Sequence, residues 1–526
     1  MTSTESNPLP RTVERLEDSS VLRKDRLFSW VVTIAVTLFA FAIRIINLSR
    51  PTGLMFDETY YAKDAWSLLH FGYERSWPKD ANAQILEGNT DVWLDSASFI
   101  VHPQLGKWLI AAGEYAFGMN SFGWRISACV FGTLLVFITT RLARRLSRST
   151  LVGGIAGFLL AIDGLAFTMS RIALLDIFQA FFTVAAVAAV VADRDWFRLK
   201  LAQHLRETGQ PNLAGQFGPL LTWRPWRLVA GVLFGLAIGV KWNSLYVLAA
   251  MGLASVLMDY RSRRTAGADR KSWYSFLVEG PVAFCYLVVT AAIVYVSTWA
   301  SWLYTTGGWK RDWGWNNPDD PLVRLIGAPL ASLWQYHKEI FRFHTGDYMA
   351  SVTHTYEAHP AGWLVIGRSI GMYAENGIQP GVDGCAAVDS TCLRVVSGMG
   401  TPLLWWFAVI AILAALVWWL GGRDWRFAIP LLAAGAVWIG WFPNADRPLF
   451  FFYAIMLIPF TVTILAMALG KILGPADSDQ RAMRAAFVGG VVLLVLLNFV
   501  FIYPVLTGEL LTREAWSLRM WFRSWI

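Results

Sequence analysis

The sequence predicts an all-α polytopic membrane protein with about eleven transmembrane helices and outward-facing juxtamembrane helices and loops. Of its 526 residues, 56% are hydrophobic and only 16% are charged. Several apolar runs reach the roughly 20 residues that a helix needs to cross a bilayer. Together these observations exclude a soluble globular protein.

Eleven apolar segments are assigned as spans. They cover residues 30–48, 121–140, 151–169, 174–192, 228–241, 243–258, 276–303, 403–420, 427–442, 449–469 and 485–505. The fifth and sixth segments are short for a membrane crossing.

The distribution of Lys and Arg orients these spans. With the N-terminus in the cytoplasm, 25 of the 45 basic residues fall on the inside. They lie in residues 11–26, 141–148, 194–227, 261–271, 423–426 and 471–484. This bias is typical of cytoplasmic loops, and it places the C-terminus outside. The net charge of +8 therefore reflects topology, and no basic patch interleaved with stacking aromatics indicates nucleic-acid binding.

The chain is predicted to consist of a cytoplasmic tail, residues 1–29, and a single transmembrane domain, residues 30–526. The tail has no short apolar region followed by a small-residue cleavage site, so it is interpreted as retained. Most polar residues fall in two outside loops, 49–120 and 304–402. Helical periodicity at 64–70, 105–117 and 333–343 predicts amphipathic helices in these loops.

The acid pair Asp57-Glu58 follows the first span by a few residues. Two carboxylates at the water edge of a membrane protein suggest chemistry at the membrane surface. The alternative is that the pair only begins a surface helix, where acidic residues complement the helix dipole.

Further ionisable residues lie within or at the edge of the spans, where charges are costly and usually functional. Six of them fall at the outer face: Arg44, Arg125, Arg171, Asp176, Lys241 and Arg447. Each basic residue taken singly is also explained by snorkelling. Their convergence on one leaflet, together with the acid pair, favours a site for an anion.

Two histidine-containing segments add polar groups to this face. His102-Pro103 introduces a predicted helix, so its backbone donors, His102 and Lys107 could together hold an anion. A simple helix cap is the alternative. His354, in the second outside loop, supplies a polar ring near the membrane.

The four cysteines divide into two pairs. Cys129 and Cys285 lie inside spans, where cysteine behaves as a small hydrophobe. Cys385 and Cys392 flank a short polar stretch on the outside, where a disulfide is plausible. The alternative is that both thiols are free. No spacing resembles a Cys/His zinc site.

These residues suggest one chemical scheme. Several cations and a helix start would hold a phosphate at the outer bilayer surface, and a carboxylate beside it would act as a general base. Fixed positive charge would stabilise the leaving group. A donor with a lipid tail would enter sideways from the membrane.

The combination resembles the protein O-mannosyltransferases, membrane enzymes of the C-type glycosyltransferase fold. The resemblance extends over nearly the whole chain and is carried by Arg44, Asp57-Glu58, His102-Pro-Gln-Leu-Gly-Lys107, Arg125, Asp163, Ser170-Arg171, Asp176, Gly239-Val-Lys241-Trp and the segment from His354 to Trp363. The chain lacks the soluble domain that eukaryotic members insert in an outside loop, so it resembles bacterial, actinobacterial-type members. It departs from the family pattern at Gln104 and at Ala361-Gly362.

The resemblance implies transfer of mannose from polyprenyl-phosphate-mannose to Ser or Thr hydroxyls of secreted or membrane proteins during their translocation, with inversion at the anomeric carbon. It implies Asp57 as the base, Glu58 as an orienting group, and His102, Lys107, Arg125, Arg171, Lys241 and Arg44 as donor-binding residues. Asp176, His354 and Arg447 are further candidates. The donor is already activated, so no nucleotide or metal is required, although two carboxylates leave a divalent metal open. The expected location is the cell membrane, with the active site outside.

Two other functions are weighed against this one. A related transferase could use a polyprenyl-phosphate sugar with a lipid or cell-wall polysaccharide acceptor. A transporter or flippase for a lipid-linked sugar would show inverted repeats and charges at mid-membrane. The sequence contains neither feature.

Overall fold

Long apolar helices form most of the molecule. The computed structural model describes residues 11–17 and 25–526. Within these residues, seven helices are long and apolar enough to cross a membrane, and three shorter apolar helices lie among them. The seven are Arg26–Ile45, Ser121–Ser147, Asp176–Glu207, Asp269–Ser297, Pro402–Leu420, Trp425–Asn444 and Arg481–Ile502.

The α-helices follow one another along the whole described chain. In order they are α1 (Arg11–Leu16), α2 (Arg26–Ile45), α3 (Glu58–Phe71), α4 (Ala81–Leu86), α5 (Leu105–Phe117), α6 (Ser121–Ser147), α7 (Thr150–Ala161), α8 (Gly164–Met169), α9 (Asp176–Glu207), α10 (Pro225–Val240), α11 (Ser244–Thr265), α12 (Ser275–Phe284), α13 (Thr290–Ser297), α14 (Ala300–Tyr304), α15 (Trp313–Asn316), α16 (Pro321–Ile326), α17 (Ala328–Thr345), α18 (Asp347–Ser351), α19 (Pro402–Leu420), α20 (Trp425–Ile439), α21 (Ile458–Leu473), α22 (Arg481–Ile502), α23 (Pro504–Thr507) and α24 (Arg513–Ser517). Each of the eleven predicted spans overlaps at least one of these helices.

Some helix boundaries differ from the prediction for local reasons. The third predicted span, 151–169, is broken into α7 and α8 because Asp163 ends one helix and caps the next, accepting a hydrogen bond from Ala166 N at 2.8 Å. The fourth predicted span continues as α9 to Glu207. Helix α9 therefore includes the first part of the segment 194–227, which was assigned to the inside. A π-helical turn, Cys285–Val289, joins α12 to α13.

Helix α9 is the centre of the bundle. In its most apolar stretch 89% of the residues are buried inside the protein, compared with 22% for α2. A helix that is apolar on all sides and buried belongs to the core of a large protein. Helix α9 packs against α6, α10 and α11, so its first residue, Asp176, is held rigidly at one end of the bundle.

The predicted amphipathic helices of the outside loops are confirmed. Residues 64–70 lie in α3, residues 105–117 form α5, and residues 333–343 lie in α17. Helices α3 and α5 pack against each other, and α5 packs on α6. The first outside loop is thereby attached to the membrane domain over most of its length.

The all-α prediction is wrong for part of the second outside loop. Strands β1 (Ile370–Ile378), β2 (Cys392–Gly398) and β3 (Leu510–Thr512) form an antiparallel sheet in the order β1-β2-β3. The β-branched and alternating apolar residues of β1 and β2 favour extended backbone over helix. A disulfide joins Cys385, in the connection between β1 and β2, to Cys392, the first residue of β2.

The predicted cytoplasmic tail is described only in part, because residues 1–10 and 18–24 lie outside the described residues. Val13 and Leu16 of α1 are buried against Phe197 and Leu201 of α9. This segment therefore packs on the end of the bundle opposite to Asp57.

Candidate active site

Asp57 stands directly before the first residue of α3. Its side chain accepts no hydrogen bond from the helix that it precedes. Within the described part of the chain it has no ion-pair partner, and it is partly buried. Asp57 therefore stands at a helix start, as the alternative interpretation predicted. Its carboxylate does not cap the helix and so can accept a proton or a hydrogen bond from a ligand.

The residue before Asp57 holds the loop in a strained conformation. Phe56 has a φ of 47°, in the left-handed region that residues with a side chain rarely adopt. Its ring packs edge to face against those of Phe450 and Phe452, with centroid distances of 5.7 and 5.8 Å. Strained backbone persists where surrounding packing determines it, and it concentrates at functional sites. Here the packing of Phe56 fixes the backbone of the loop next to Asp57.

Glu58 is fully buried and serves a different purpose. Its two carboxylate oxygens accept hydrogen bonds from Arg125 Nε and Nη2, each at 2.8 Å. They also accept from the backbone of Met55 at 2.8 Å and of Ala173 at 2.9 Å. The remaining guanidinium donors of Arg125 meet the carbonyls of residues 48, 51 and 53. Every donor of Arg125 is therefore used to hold the loop that carries Asp57.

Lys241 forms an ion pair with Asp176, and both charges are near enough to Asp57 to affect its pKa. Its Nζ is 2.7 Å from Asp176 Oδ2. Burial raises the pKa of Asp57 to about 6; the positive charge of Lys241 opposes this rise and the negative charge of Asp176 adds to it. A carboxyl whose pKa lies near 6 is well matched to a general base working near neutral pH.

A cavity of about 350 Å³ opens beside these residues. Cavities of this size bind small ligands. Two cations, two imidazoles and aromatic rings line it, among them His102, Lys241, His344, Arg447 and Tyr453. Lys241 Nζ is 5.2 Å from the centre of the Tyr453 ring.

His344 organises the cavity wall. Its Nε2 donates to the Val101 carbonyl at 2.8 Å, and its Nδ1 accepts from Arg447 Nη1 at 3.0 Å. Burial lowers the pKa of His344 to about 4, and burial also lowers the pKa of His102, whose ring stacks on it at 5.4 Å. Both imidazoles are neutral near pH 7, so Lys241 and Arg447 provide the positive charge of the cavity.

Lys107 lies away from this cavity, in a buried cluster. Its Nζ is 2.8 Å from Asp64 Oδ2 and 3.2 Å from Glu74 Oε1. Gln104 donates to the other Glu74 oxygen at 2.8 Å. The cluster joins α5 to α3 and explains the polar residue at position 104, which departs from the family pattern.

Arg44 and Arg171 also lie apart from the first cavity. Arg44 is fully buried and donates to Ser170 Oγ at 3.1 Å and to the carbonyls of Ala40 and Ala161. Arg171 donates to the carbonyls of Arg44, Ile46 and Asn47 at 2.6 to 2.9 Å. It lines a second, polar cavity of about 530 Å³ beside β1 and the C-terminal segment.

His354 lies on the far side of Phe56 from the helical core. It is exposed, and its ring is 6.3 Å from that of Phe56 and 5.0 Å from that of Phe450. Its Nδ1 accepts a hydrogen bond from the backbone of Tyr356 at 3.0 Å. The structure therefore brings His354 to the Asp57 loop but not into the lining of the first cavity.

The structure divides the predicted site residues into groups. Asp57, Asp176 and Lys241 are close together, and Lys241 lines one cavity with His102 and Arg447. Buried networks hold Glu58 with Arg125, Lys107 with its acidic partners, and Arg44. Sequence reasoning missed His344, which stands one residue past the predicted amphipathic helix 333–343. The apolar face of that helix, continued one turn, was the signal that could have found it.

The fold is that of the membrane glycosyltransferases of the C type. One chain of the Saccharomyces cerevisiae protein O-mannosyltransferase Pmt1–Pmt2 complex bound to the sugar donor superimposes with a TM-score of 0.71. The match covers 97% of this chain and 94% of that chain at 13% sequence identity.

Sequence comparison narrows this class to one family. The family model for dolichyl-phosphate-mannose-protein mannosyltransferase matches residues 34–306, and the model for the C-terminal four-helix region of protein O-mannosyltransferases matches residues 329–525. The polyprenol-phosphate-mannose–protein mannosyltransferase of Mycobacterium tuberculosis is 36% identical over 509 residues, 95% of this chain and 92% of that protein. That of Corynebacterium glutamicum is 33% identical over 506 residues, 95% and 93% of the two chains. The chain belongs to the protein O-mannosyltransferase family, on its actinobacterial side, and is a multi-pass membrane protein.

Proposed function

We propose that this chain carries out protein O-mannosylation with Asp57 as the general base and Lys241 and Arg447 as the charges that receive the donor phosphate. The chain is a polyprenol-phosphate-mannose–protein mannosyltransferase, an activity supported by its similarity to the mycobacterial and corynebacterial enzymes over nearly their whole lengths. The observation that carries the residue assignment is the environment of Asp57. Its carboxylate has no ion-pair partner among the described residues, and its pKa is affected by the charge of Lys241, which lines the cavity.

The reaction follows from these positions. The hydroxyl of an acceptor Ser or Thr gives its proton to Asp57 while its oxygen forms a bond to the anomeric carbon of mannose. The bond between that carbon and the phosphate oxygen breaks, and the phosphate leaves with the electron pair. Attack from the face opposite the phosphate inverts a β-linked donor to an α-mannoside.

The cavity supplies electrostatic stabilisation to the leaving group. Negative charge grows on the phosphate as its bond to mannose breaks, and fixed positive charge in a buried site stabilises that change. Lys241 is held by Asp176 and Arg447 by His344, so both cations are positioned before the donor arrives. Neutral His102 would donate one hydrogen bond without adding charge.

The donor's lipid chain has a matching groove. An apolar cavity of about 710 Å³ continues from the first cavity, with which it shares Tyr246 and Gly440. It lies between α11 and α20 and is lined almost entirely by apolar residues. A polyprenyl chain would lie in it with its phosphate at Lys241. The absence of charged residues along this groove, within the described chain, argues against passage of a sugar headgroup and so against a flippase.

Glu58, Arg125, Lys107, Arg44 and Arg171 are assigned positioning roles. Glu58 pairs with Arg125, Lys107 pairs with Asp64 and Glu74, and Arg44 and Arg171 donate mainly to backbone carbonyls. These contacts hold the Asp57 loop and the outer ends of the helices. This assignment changes the expectation that they contact the donor phosphate.

The remaining parts of the proposal concern the surroundings of the site. All eleven predicted spans cross the cell membrane, the N-terminus is cytoplasmic, and the site faces outside, where the acceptor is a polypeptide crossing or leaving the membrane. No metal is needed, since Lys241 and Arg447 supply the charge that a divalent cation would otherwise provide. Transfer after chelation with EDTA is expected to equal transfer before it.

The experiment is a transfer assay with membranes, polyprenyl-phosphate-mannose and a Ser/Thr peptide. Asp57→Asn removes the base and keeps its size and polarity, so we expect a loss on the order of 10²-fold or more. Glu87→Gln, at an exposed acid of the same loop, is the matched control. Wild-type turnover by Asp57→Asn at equal protein level would remove Asp57 from this role. Transfer to a lipid or polysaccharide in place of the peptide would indicate the alternative class of transferase.

A further inference from the structure

A fourth cavity has its charged mouth at the end of the bundle opposite to Asp57. It has a volume of about 560 Å³ and lies between α11 and α20. Its apolar end meets the groove assigned to the donor's lipid chain, with which it shares Ala250, Trp419 and Leu432. Arg261, at the mouth, is about 30 Å along the helix axis from Lys241, so the mouth is roughly one bilayer thickness away from the proposed donor phosphate site.

Four arginines surround this cavity: Arg194, Arg198, Arg261 and Arg423. Among the described residues, no Asp or Glu belongs to its lining. The nearby acids already have basic partners, since Asp195 pairs with Arg145, Arg148 and Arg194, and Asp259 pairs with Arg224 and Arg227. Basic side chains therefore outnumber acidic ones around the mouth of the cavity.

Two of the arginines are free to bind a ligand. Arg261 and Arg423 are exposed, and neither side chain has an acidic partner within residues 11–17 and 25–526. Arg194 is oriented by stacking, with its guanidinium carbon 3.4 Å from the centre of the Trp425 ring. Trp419 also lines the cavity, and tryptophan at the end of a membrane helix is typical of the headgroup region.

The walls below this charged mouth are apolar. They include Leu253, Leu257 and Met258 of α11 and Leu432 of α20. Leu253 is 78% exposed and Leu257 42%, so the cavity is open sideways toward the surrounding lipid. A charged mouth on an apolar, laterally open groove fits an amphiphile with an anionic head and hydrocarbon tails. A free phosphate would leave the groove unfilled.

We propose that this cavity is a binding site for an anionic phospholipid of the cytoplasmic leaflet, with a headgroup site distinct from the donor phosphate site. Basic pockets between transmembrane helices at the cytoplasmic side recognise such headgroups by charge. The headgroup phosphate lies among Arg194, Arg261 and Arg423, and the acyl chains lie along α11 and α20. The assignment to the cytoplasmic leaflet rests on the topology proposed above, whereas the binding site itself does not.

The test uses the purified full-length protein in detergent and native mass spectrometry. Dioleoyl phosphatidylglycerol and dioleoyl phosphatidylcholine have the same tails and differ in head charge. We expect the wild type to retain phosphatidylglycerol in preference to phosphatidylcholine. In Arg261→Gln/Arg423→Gln that preference should fall about tenfold or more, since each basic residue near a lipid surface contributes on the order of a fivefold affinity change.

Matched controls separate binding from general charge and from misfolding. Arg264→Gln/Arg270→Gln removes the same charge from exposed positions at the same end of the bundle and should keep the preference. Arg261→Lys/Arg423→Lys should restore most of it. Equal preference in the Gln variant and the wild type would overturn the proposal. Displacement of phosphatidylglycerol by uncharged polyprenol would also overturn it, because the cavity would then belong to the carrier chain.

The donor reaction is measured separately on the same variants. Arg261 and Arg423 lie far from Lys241, so transfer by the detergent-solubilised Gln variant is expected to equal that of the wild type. Failure of the Asp57 assignment would appear in the transfer assay alone, and failure of the lipid site would appear in the binding assay alone.

Discussion

Glu58 and Arg125 form a two-point ion pair that is wholly buried, with Nε to Oε1 and Nη2 to Oε2 both at 2.8 Å. The pair joins the start of α3 to α6 and lies one residue from the proposed catalytic base. Although Glu58 is adjacent to Asp57, its carboxylate is held by Arg125, whereas Asp57 has no ion-pair partner among the described residues. The pair therefore divides into an acid with a positioning role and the acid proposed as the base.

Breaking this pair should destabilise the protein and misplace Asp57. Glu58→Gln and Arg125→Met each leave a buried charge without its partner, which costs about 3–5 kcal/mol. We expect a lower Tm and a loss of transfer in each, and coupling between them in a double-mutant cycle. Asp95→Asn, which breaks the surface pair with Arg75, is the control and should change Tm little. Additive effects of Glu58→Gln and Arg125→Met would contradict the assignment.

The pH dependence of transfer should report the pKa of Asp57. The base acts in its ionised form, so kcat/KM should rise with pH, with an apparent pKa near 6, and level off above it. Lys241 opposes the raised pKa and Asp176 adds to it. Lys241→Gln should therefore move the acid limb to higher pH and Asp176→Asn to lower pH. Shifts of the same sign in both variants would show that another group titrates.

The raised pKa of Asp57 also predicts how the stability of the protein depends on pH. Because folding raises the pKa of Asp57 above its ordinary value of 3.8 to about 6, the protonated form is favoured in the folded state. Its contribution to stability is present below pH 4 and is lost as the pH rises through 6. At pH 7.5, Asp57→Asn should have a Tm equal to or above that of the wild type while transfer is lost. A marked fall in Tm would instead indicate a structural role.

The dependence of transfer on donor concentration should distinguish Arg447, in the first cavity, from Arg171, in the second. Arg447 lines the first cavity, whereas the guanidinium of Arg171 is directed at carbonyls of residues 44–47. Arg447→Gln should raise the KM for the mannosyl lipid with little change in Tm. Arg171→Gln should lower Tm and reduce the amount of active protein, with the donor KM nearly unchanged. From the sequence, Arg171 was expected to contribute more to donor binding than Arg447. Measuring transfer while the donor lipid is titrated decides between these two expectations.

The disulfide should order the outside sheet without being needed for membrane insertion. Cys385 and Cys392 are separated by seven positions and are bonded to each other. A loop this short contributes roughly 2–3 kcal/mol at most in the chain-entropy model. Cys385→Ser/Cys392→Ser should insert normally and lose a few degrees in Tm. Non-reducing peptide mapping checks the bond, and alkylation of both thiols before reduction would show that it is absent.

The sequence predicted much of the membrane architecture. Every predicted span overlaps a helix, and seven described helices are long and apolar enough to cross a membrane, because lipid requires long apolar stretches. The all-α prediction failed at the β-sheet, whose strands lie in the second outside loop and near the C-terminus. There no lipid requires the backbone to be helical.

The sequence also determined the reaction family, and it indicated Asp57 as the proposed base from its type and its position at the membrane edge. Only the tertiary structure decided which of the basic residues line the cavity proposed for the donor. A buried Arg or Lys is stabilised by nearby acceptors, and several carboxylates and carbonyls at the same depth are available to each. Arg125 and Lys107 pair with buried acids, and Arg171 donates to carbonyls. Lys241, paired with Asp176, and Arg447, bonded to His344, line the cavity. Which basic residues line the cavity depends on the distances between helices that are far apart in the chain. These distances cannot be obtained from residue type and position in the sequence alone.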